Sequence, residues 1–171
     1  MICCVTGHRP QGFPFSYFKP SLPLSRYRAA LIETVDELIR TGYTHFITGM
    51  ALGADLDFAE AVLALKRQYE GRFAITLEAA IPCPDQCKKW KSEDILRYQK
   101  ILAACDERRV LSPYYTPGCM HRRNEYMVDK ADLVLGIWNG KQEGGTWSTL
   151  SYAKKKSKPI RLLRLHLWVE N

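Results

Sequence analysis

Apolar positions along the chain follow two alternating rhythms. Short continuous apolar runs, suited to strands buried on both faces, alternate with longer segments whose apolar residues return every three or four positions, as helices require. The strand-like runs are Ile2–Thr6, Thr44–Thr48, Phe73–Ala80, Arg109–Leu111, Leu133–Trp138 and Pro159–Leu165. Leu24, Tyr27, Leu31, Val35 and Leu38 predict a first helix over residues 24–40, with Gly42 to stop it. Phe58, Val62, Leu65 and Tyr69 form the stripe of a second, and Ile95, Tyr98, Leu102 and Cys105 that of a third over Ser92–Cys105. A fourth is expected over Met120–Ala131, and a fifth from just after Gly145 to Lys156. Strict alternation of the two kinds predicts an α/β fold with a doubly wound, mostly parallel sheet. Residues 10–23 carry four prolines and four aromatics, which predicts an irregular but packed connection. No repeat or composition shift divides the chain, so residues 1–171 read as one domain.

In a parallel sheet the strand-to-helix turns emerge on one side, where ligands bind. Three such turns are chemically unusual. Thr6, Gly7, His8 and Arg9 end the first strand with an imidazole and a guanidinium. Gly49, Gly53 and Asp55 follow the second strand. Gly144, Gly145, Thr146 and Thr149 follow the fifth, where free helix N–H groups and hydroxyls suit a phosphate or a ribose. Taken singly, each turn fits plain turn chemistry, with Asp55 as a helix cap and His8 as a surface histidine. Together they suit one nucleotide. A fourth candidate is the helix start at Arg122, Arg123 and Asn124, either as a phosphate clamp or as a cationic turn paired with Glu125. Tyr114 and Tyr115 just before it suit either stacking on a base or packing. Neither Gly-x-Gly-x-x-Gly nor the Walker A pattern occurs, which argues against a standard NAD-type fingerprint or a P-loop ATPase.

Composition changes this picture little. Hydrophobic residues make up 46% and charged residues 25%, as in ordinary globular proteins. No apolar run reaches the roughly 18 residues of a membrane span, and the N-terminus lacks the basic and long apolar regions of a signal peptide. A cytoplasmic location is expected. The six cysteines form no zinc-type set, so metal-free thiols are expected, with Cys3 and Cys4 as small core residues. The net charge of +7 favours anionic partners. Lys154–Lys158, with Arg161 and Arg164, reads as a solvated helix end or, as the sharper alternative, a nucleic-acid patch.

At these residues the sequence resembles the SLOG superfamily of Rossmann-like nucleotide-sensing domains, which includes DprA/Smf and the LOG-type phosphoribohydrolases. It is most similar to the YpsA-like branch. The likeness is carried by Thr6-Gly-His-Arg9, Thr48-Gly-Met-Ala-Leu-Gly-Ala-Asp55, Arg123-Asn124 and Gly145-Thr146-x-x-Thr149-x-x-x-Ala153, in order over nearly the whole chain. It implies a three-layer α/β/α Rossmann-like fold and a pocket for a nucleotide or nucleotide derivative, NAD- or ADP-ribose-like or a nucleoside phosphate. Carried over by position, Gly49, Gly53 and Asp55 belong to the first glycine turn, Arg123 and Asn124 to the Arg-Asn pair, and Gly145, Thr146 and Thr149 to the phosphate turn. LOG-type hydrolases carry a catalytic Glu where this chain has Thr149, which cannot serve as a general base near neutral pH.

The expectation is therefore a binding or sensing domain with no assigned catalytic residue and a phosphate-containing ligand. N-glycoside hydrolysis by a substitute carboxylate such as Asp55, and DprA-like binding of single-stranded DNA, are the alternatives. Edge strands and apolar loops leave room for a homodimer.

Overall fold

The two rhythms fold as they alternate. A computed structural model describes residues 1–168. Six strands, β1 (Ile2–Gly7), β2 (His45–Thr48), β3 (Thr76–Ile81), β4 (Glu107–Val110), β5 (Leu133–Trp138) and β6 (Ile160–Arg164), form one sheet in the order β4-β3-β2-β1-β5-β6. Every pairing is parallel. The five helices are α1 (Leu22–Arg40), α2 (Ala54–Gln68), α3 (Ser92–Ala104), α4 (Cys119–Lys130) and α5 (Gly144–Lys155). None of them is long and apolar enough to cross a membrane.

The sheet is buried on both faces, and the alternation of side chains along each strand sorts the core into two. Cys3 and Val5 of β1, Phe46 of β2, Leu77 of β3 and Leu135 of β5 face α1, α2 and α3. Cys4, Ile47, Ala80 and Val134 face the other way, onto Met127 and Val128 of α4 and Leu150 and Ala153 of α5. The winding reverses between β1 and β5, which are neighbours in register from Cys3 opposite Leu133 to Gly7 opposite Ile137. That reversal opens a crevice above the carboxyl ends of those two strands.

Helix α1 starts two residues earlier than its apolar stripe, because Ser21 accepts the Leu24 N–H at 3.3 Å and a proline is tolerated in the first turn. The proline- and aromatic-rich connection packs as expected. Phe13 and Tyr17 are buried, Phe13 lies edge-on to Tyr27 of α1, and the Tyr17 and Tyr27 hydroxyls donate to Asp57 of α2 at 2.8 and 3.0 Å. Strand β3 begins three residues later than the apolar run, since Phe73 and Ile75 pack against the core from an irregular stretch ahead of it. Strand β4 comes two residues earlier than expected and is exposed along its length. As an edge strand it needs little apolar character, so hydrophobic pattern missed its first residues, Glu107 and Arg108. Both Cys3 and Cys4 are buried in β1, and burial pushes the Cys3 thiol up to about 12.

The helices on the α4 face leave β3 and β4 only partly covered, and a charged cluster fills that place. Glu78 of β3 has no exposed side-chain surface and accepts from Tyr126 at 2.5 Å and Lys130 at 3.1 Å, both on α4, while His45 of β2 lies 3.2 Å away. Burial alone would raise this carboxyl; hydrogen bonds from His45, Tyr126 and Lys130 outweigh it and hold the pKa at about 2. A folded-state pKa below the unfolded value stabilises above the unfolded pKa and loses that contribution as pH falls toward the folded one. Glu78→Gln is thus expected to lower unfolding free energy at pH 7 by about 2 kcal/mol, measured by urea denaturation. Its stability should also fall less than that of the parent protein between the ordinary carboxylate range and pH 2; equal acid slopes would refute this role for Glu78.

Candidate functional site

The crevice at the strand ends is a cavity of about 300 Å3. Thr6, Gly7, His8 and Arg9 line it from the turn after β1, Asp55 from α2, Arg123 and Asn124 from α4, and Gly145 and Thr146 from α5. Nine of the residues singled out in sequence therefore meet around one space. Gly49, Gly53, Gly144 and Thr149 do not line it; three of these have jobs that explain their place.

Gly53 holds φ at +102°, a conformation that glycine adopts without strain, and an added Cβ would sit 2.6 Å from the His8 carbonyl oxygen. That carbonyl instead accepts the Ala54 N–H at 3.1 Å, so the start of α2 is bonded to the turn after β1. Gly7 is the matching half of this contact, since a Cβ there would overlap that of Ala54 and stand 3.0 Å from that of Ile137. A Cβ at Gly49 would intrude on the Arg123 guanidinium and the Asp55 carboxylate, so this glycine makes room for a charge pair.

Arg123 is 5% exposed. Its Nη1 donates to the Gly49 carbonyl and its Nε to Asn124 Oδ1 at 2.7 Å, and Nη1 stands 4.0 Å from Asp55 Oδ2. Asp55 Oδ2 also accepts the Ala51 N–H at 3.3 Å. Burial raises the Asp55 carboxyl against the pull of Arg123, and burial lowers the Arg123 guanidinium against the pull of Asp55. Both shifts reflect ions taken out of water and held by each other. The two arginines expected to act together divide: Arg122 is exposed and donates to Thr116 and, at 3.1 Å, to the Pro117 carbonyl, so of this pair Arg123 reaches the cavity. Tyr114 and Tyr115 are 67% and 63% exposed and do not line it.

Burial lowers the pKa of His8 below its ordinary value, which favours a neutral ring. Its Nε2 is buried with no hydrogen-bond partner among the described residues. At α5 the first residues have a different character. Gly144 has φ of +76°, neither Gly144 nor Gly145 has a neighbour within 4 Å of an added Cβ, and no side chain caps the helix. The opening N–H groups of α5 thus remain available, with the positive end of the helix dipole behind them. Thr149 turns inward. Its hydroxyl donates to the Gly145 carbonyl at 2.8 Å and accepts from Asn124 Nδ2 at 2.9 Å, tying α5 to α4.

Residues that sequence reasoning did not single out complete the site. Gln11 and Gly12 close one side and Met120 another. Gln86, in the 3-10 turn Pro84–Cys87 after β3, donates to the Gly49 and Met50 carbonyls at 3.1 and 2.6 Å and pins the second glycine turn, where Met50 adopts a positive φ of 56°. Thr48 Oγ1 donates to the Asp55 carbonyl at 2.9 Å. In sequence, that region shows only the chain break Pro82-Cys83-Pro84 just before Gln86. Part of the basic run is structural: Lys158 donates to the Asp129 and Ala131 carbonyls at the end of α4, and Lys156 pairs with Asp129 at 3.1 Å. No metal-binding group of three or more His, Cys, Asp or Glu occurs among the described residues.

Comparison with known proteins identifies the family. The YpsA family model, described as the YspA SLOG family, matches residues 3–166. The SPbeta prophage-derived protein YoqJ of Bacillus subtilis is 32% identical over 149 residues, covering 80% of this chain and 85% of its own. A UPF0398 protein of Bacillus pumilus is 30% identical, covering 84% and 76%, and the UPF0398 protein YpsA of B. subtilis is 25% identical, covering 91% and 85%.

The close approaches make a prediction about folding. Gly7→Ala and Gly53→Ala should each lower stability by about 2 kcal/mol or more, whereas Gly145→Ala, with open space around it, should shift the melting temperature by no more than a degree or two. Thermal denaturation of the three variants checks this, and equal effects would refute the division of roles.

Proposed function

The chain belongs to the SLOG family through its YpsA branch, and from that premise we propose that it binds a nucleotide-related small molecule in the cavity at the β1–β5 reversal, as a sensor. SLOG membership points to a nucleotide-related binding or sensing domain. One observation carries the finer reading: a cavity that gathers Arg9, the buried Arg123, an unpartnered His8 Nε2 and the uncapped start of α5 around a single carboxylate, Asp55. Its volume of about 300 Å3 lies at the lower end of the range for small-molecule sites. In this reading the phosphate lies on the α5 amides and the Thr146 hydroxyl, where charge and donors both favour an anion. Arg9, an exposed residue of the lining, adds a second cation, and the neutral His8 ring offers a hydrogen bond to a sugar or base. Thr149 is occupied in holding Asn124, which supports binding over N-glycoside hydrolysis.

A second reading draws on Asp55, which lines the cavity with a carboxyl raised by burial, a feature of general acids. If it cleaves an N-glycosidic bond, nucleoside monophosphates or NAD incubated with the protein will release free base by chromatography, and Asp55→Asn will abolish the release. Unchanged substrates reject it.

For the binding reading, a thermal-shift panel of nucleoside mono- and diphosphates, NAD, ADP-ribose and sugar phosphates should contain at least one stabilising ligand. A ligand at 100 times its Kd adds about 2.7 kcal/mol, which raises the melting temperature by about 5–10 °C for a chain of this size. Gly145→Ala and Thr146→Ala should weaken that ligand about tenfold, or about 1.4 kcal/mol. A panel without any response overturns the reading.

A further inference from the structure

The two edges of the sheet are finished differently. Strand β4 closes one edge with Glu107, Arg108 and Arg109, all exposed, and charged residues on an edge deter addition of another strand. Strand β6 closes the other, paired only with β5, and on the face shared with α5 it carries Ile160 and Leu162. Beneath them Gly136 of β5 has no side chain, and a Cβ there would lie 2.8 Å from Leu150 and 2.9 Å from Leu162. These two leucines thus close over the glycine and floor a trench of about 710 Å3. At its upper end Trp138 of β5 and Trp147 of α5 stack with centroids 5.8 Å apart and planes 22° apart. All of its lining comes from β5, α5 and β6.

The rim has one sign of charge. Lys154 and Lys155 of α5 border the trench, no acidic residue does, and neither lysine has an ion pair among the described residues. Another copy of the chain laid symmetrically on this face would bring four such lysines together, which like-charge repulsion opposes. An acidic occupant is favoured instead. An apolar trench alongside an edge strand with unpaired backbone groups suits an extended chain, whose alternate side chains fill the trench while its backbone bonds to the edge.

We propose that the α5–β6 trench is a docking site for an extended, acidic segment of a partner protein. The segment adds to β6 as a further strand, sets apolar side chains against Leu162 and the Trp138–Trp147 pair, and places carboxylates beside Lys154 and Lys155. This surface does not depend on what the cavity at the strand ends binds.

The test is selection of a displayed library of random peptides about 12 residues long against the full chain, with the Lys154→Glu/Lys155→Glu protein as counter-target. Enriched peptides should alternate acidic and apolar residues and bind the parent at least tenfold more tightly than the charge-reversed protein. In complex they should slow hydrogen exchange at the β6 amides and shift tryptophan emission. A Ser151→Gln variant, which narrows the trench without changing its charge, should also weaken them. The proposal is overturned if no peptide is enriched, if both proteins bind alike, or if protection falls away from β6. It is also overturned if a deoxythymidine oligonucleotide perturbs the tryptophans while the peptides do not, which would give the trench to single-stranded nucleic acid.

Discussion

A buried guanidinium at the end of a sheet must be bonded and neutralised or the fold around it fails, and Arg123 imposes that demand here. It reaches from α4, on one face of the sheet, to the glycine turn after β2 and the first turn of α2, on the other. Each of its partners is fixed in turn: Gly49 by Gln86 as well, Asp55 by Ala51, Asn124 by Thr149. The two helical layers are thereby joined across the place where the winding reverses. Removing this arginine would leave Asp55 buried without its cation, so the constraint is mutual. The cavity is what remains open above that joint.

The glycines around the cavity fall into two kinds, and the difference is steric. Gly7, Gly49 and Gly53 are enclosed by neighbouring atoms and allow helix, strand and guanidinium to approach. Gly144 and Gly145 face open space. The first group builds the scaffold, and only the second leaves backbone free for a ligand. Composition alone treats both kinds the same, since a sequence records a missing side chain but not what would have met it.

Local pattern and short motifs reached far into this fold. The stripe from Leu24 to Leu38, the apolar run at Leu133–Trp138 and the alternation of elements suffice for a doubly wound sheet, because each reflects burial that a strand or helix repeats along its own length. The glycine turns were legible for the same reason, as breaks between periodic segments. What escaped is tertiary. The first two residues of β4, Glu107 and Arg108, are defined by pairing with β3 and have no apolar signature. Gln86 acts through two carbonyls some 36 residues away in sequence. Thr149 and Arg122, grouped with the ligand residues by proximity in the chain, are turned by their partners into structural bonds. The stacking of Trp138 on Trp147 likewise depends on how α5 leaves β5.

The opening of α5 is the least constrained backbone around the cavity, with a left-handed glycine, an unhindered second glycine and no side-chain cap, although Thr149 anchors it one turn later. Few contacts hold such a helix end, and keeping it ordered costs conformational entropy. An anion seated on those amides would therefore hold the first turn in place as well as occupy a site. Occupancy would then register as a change in helix length, conveyed to the next residues of α5, Trp147 and Leu150, without any rearrangement of the sheet.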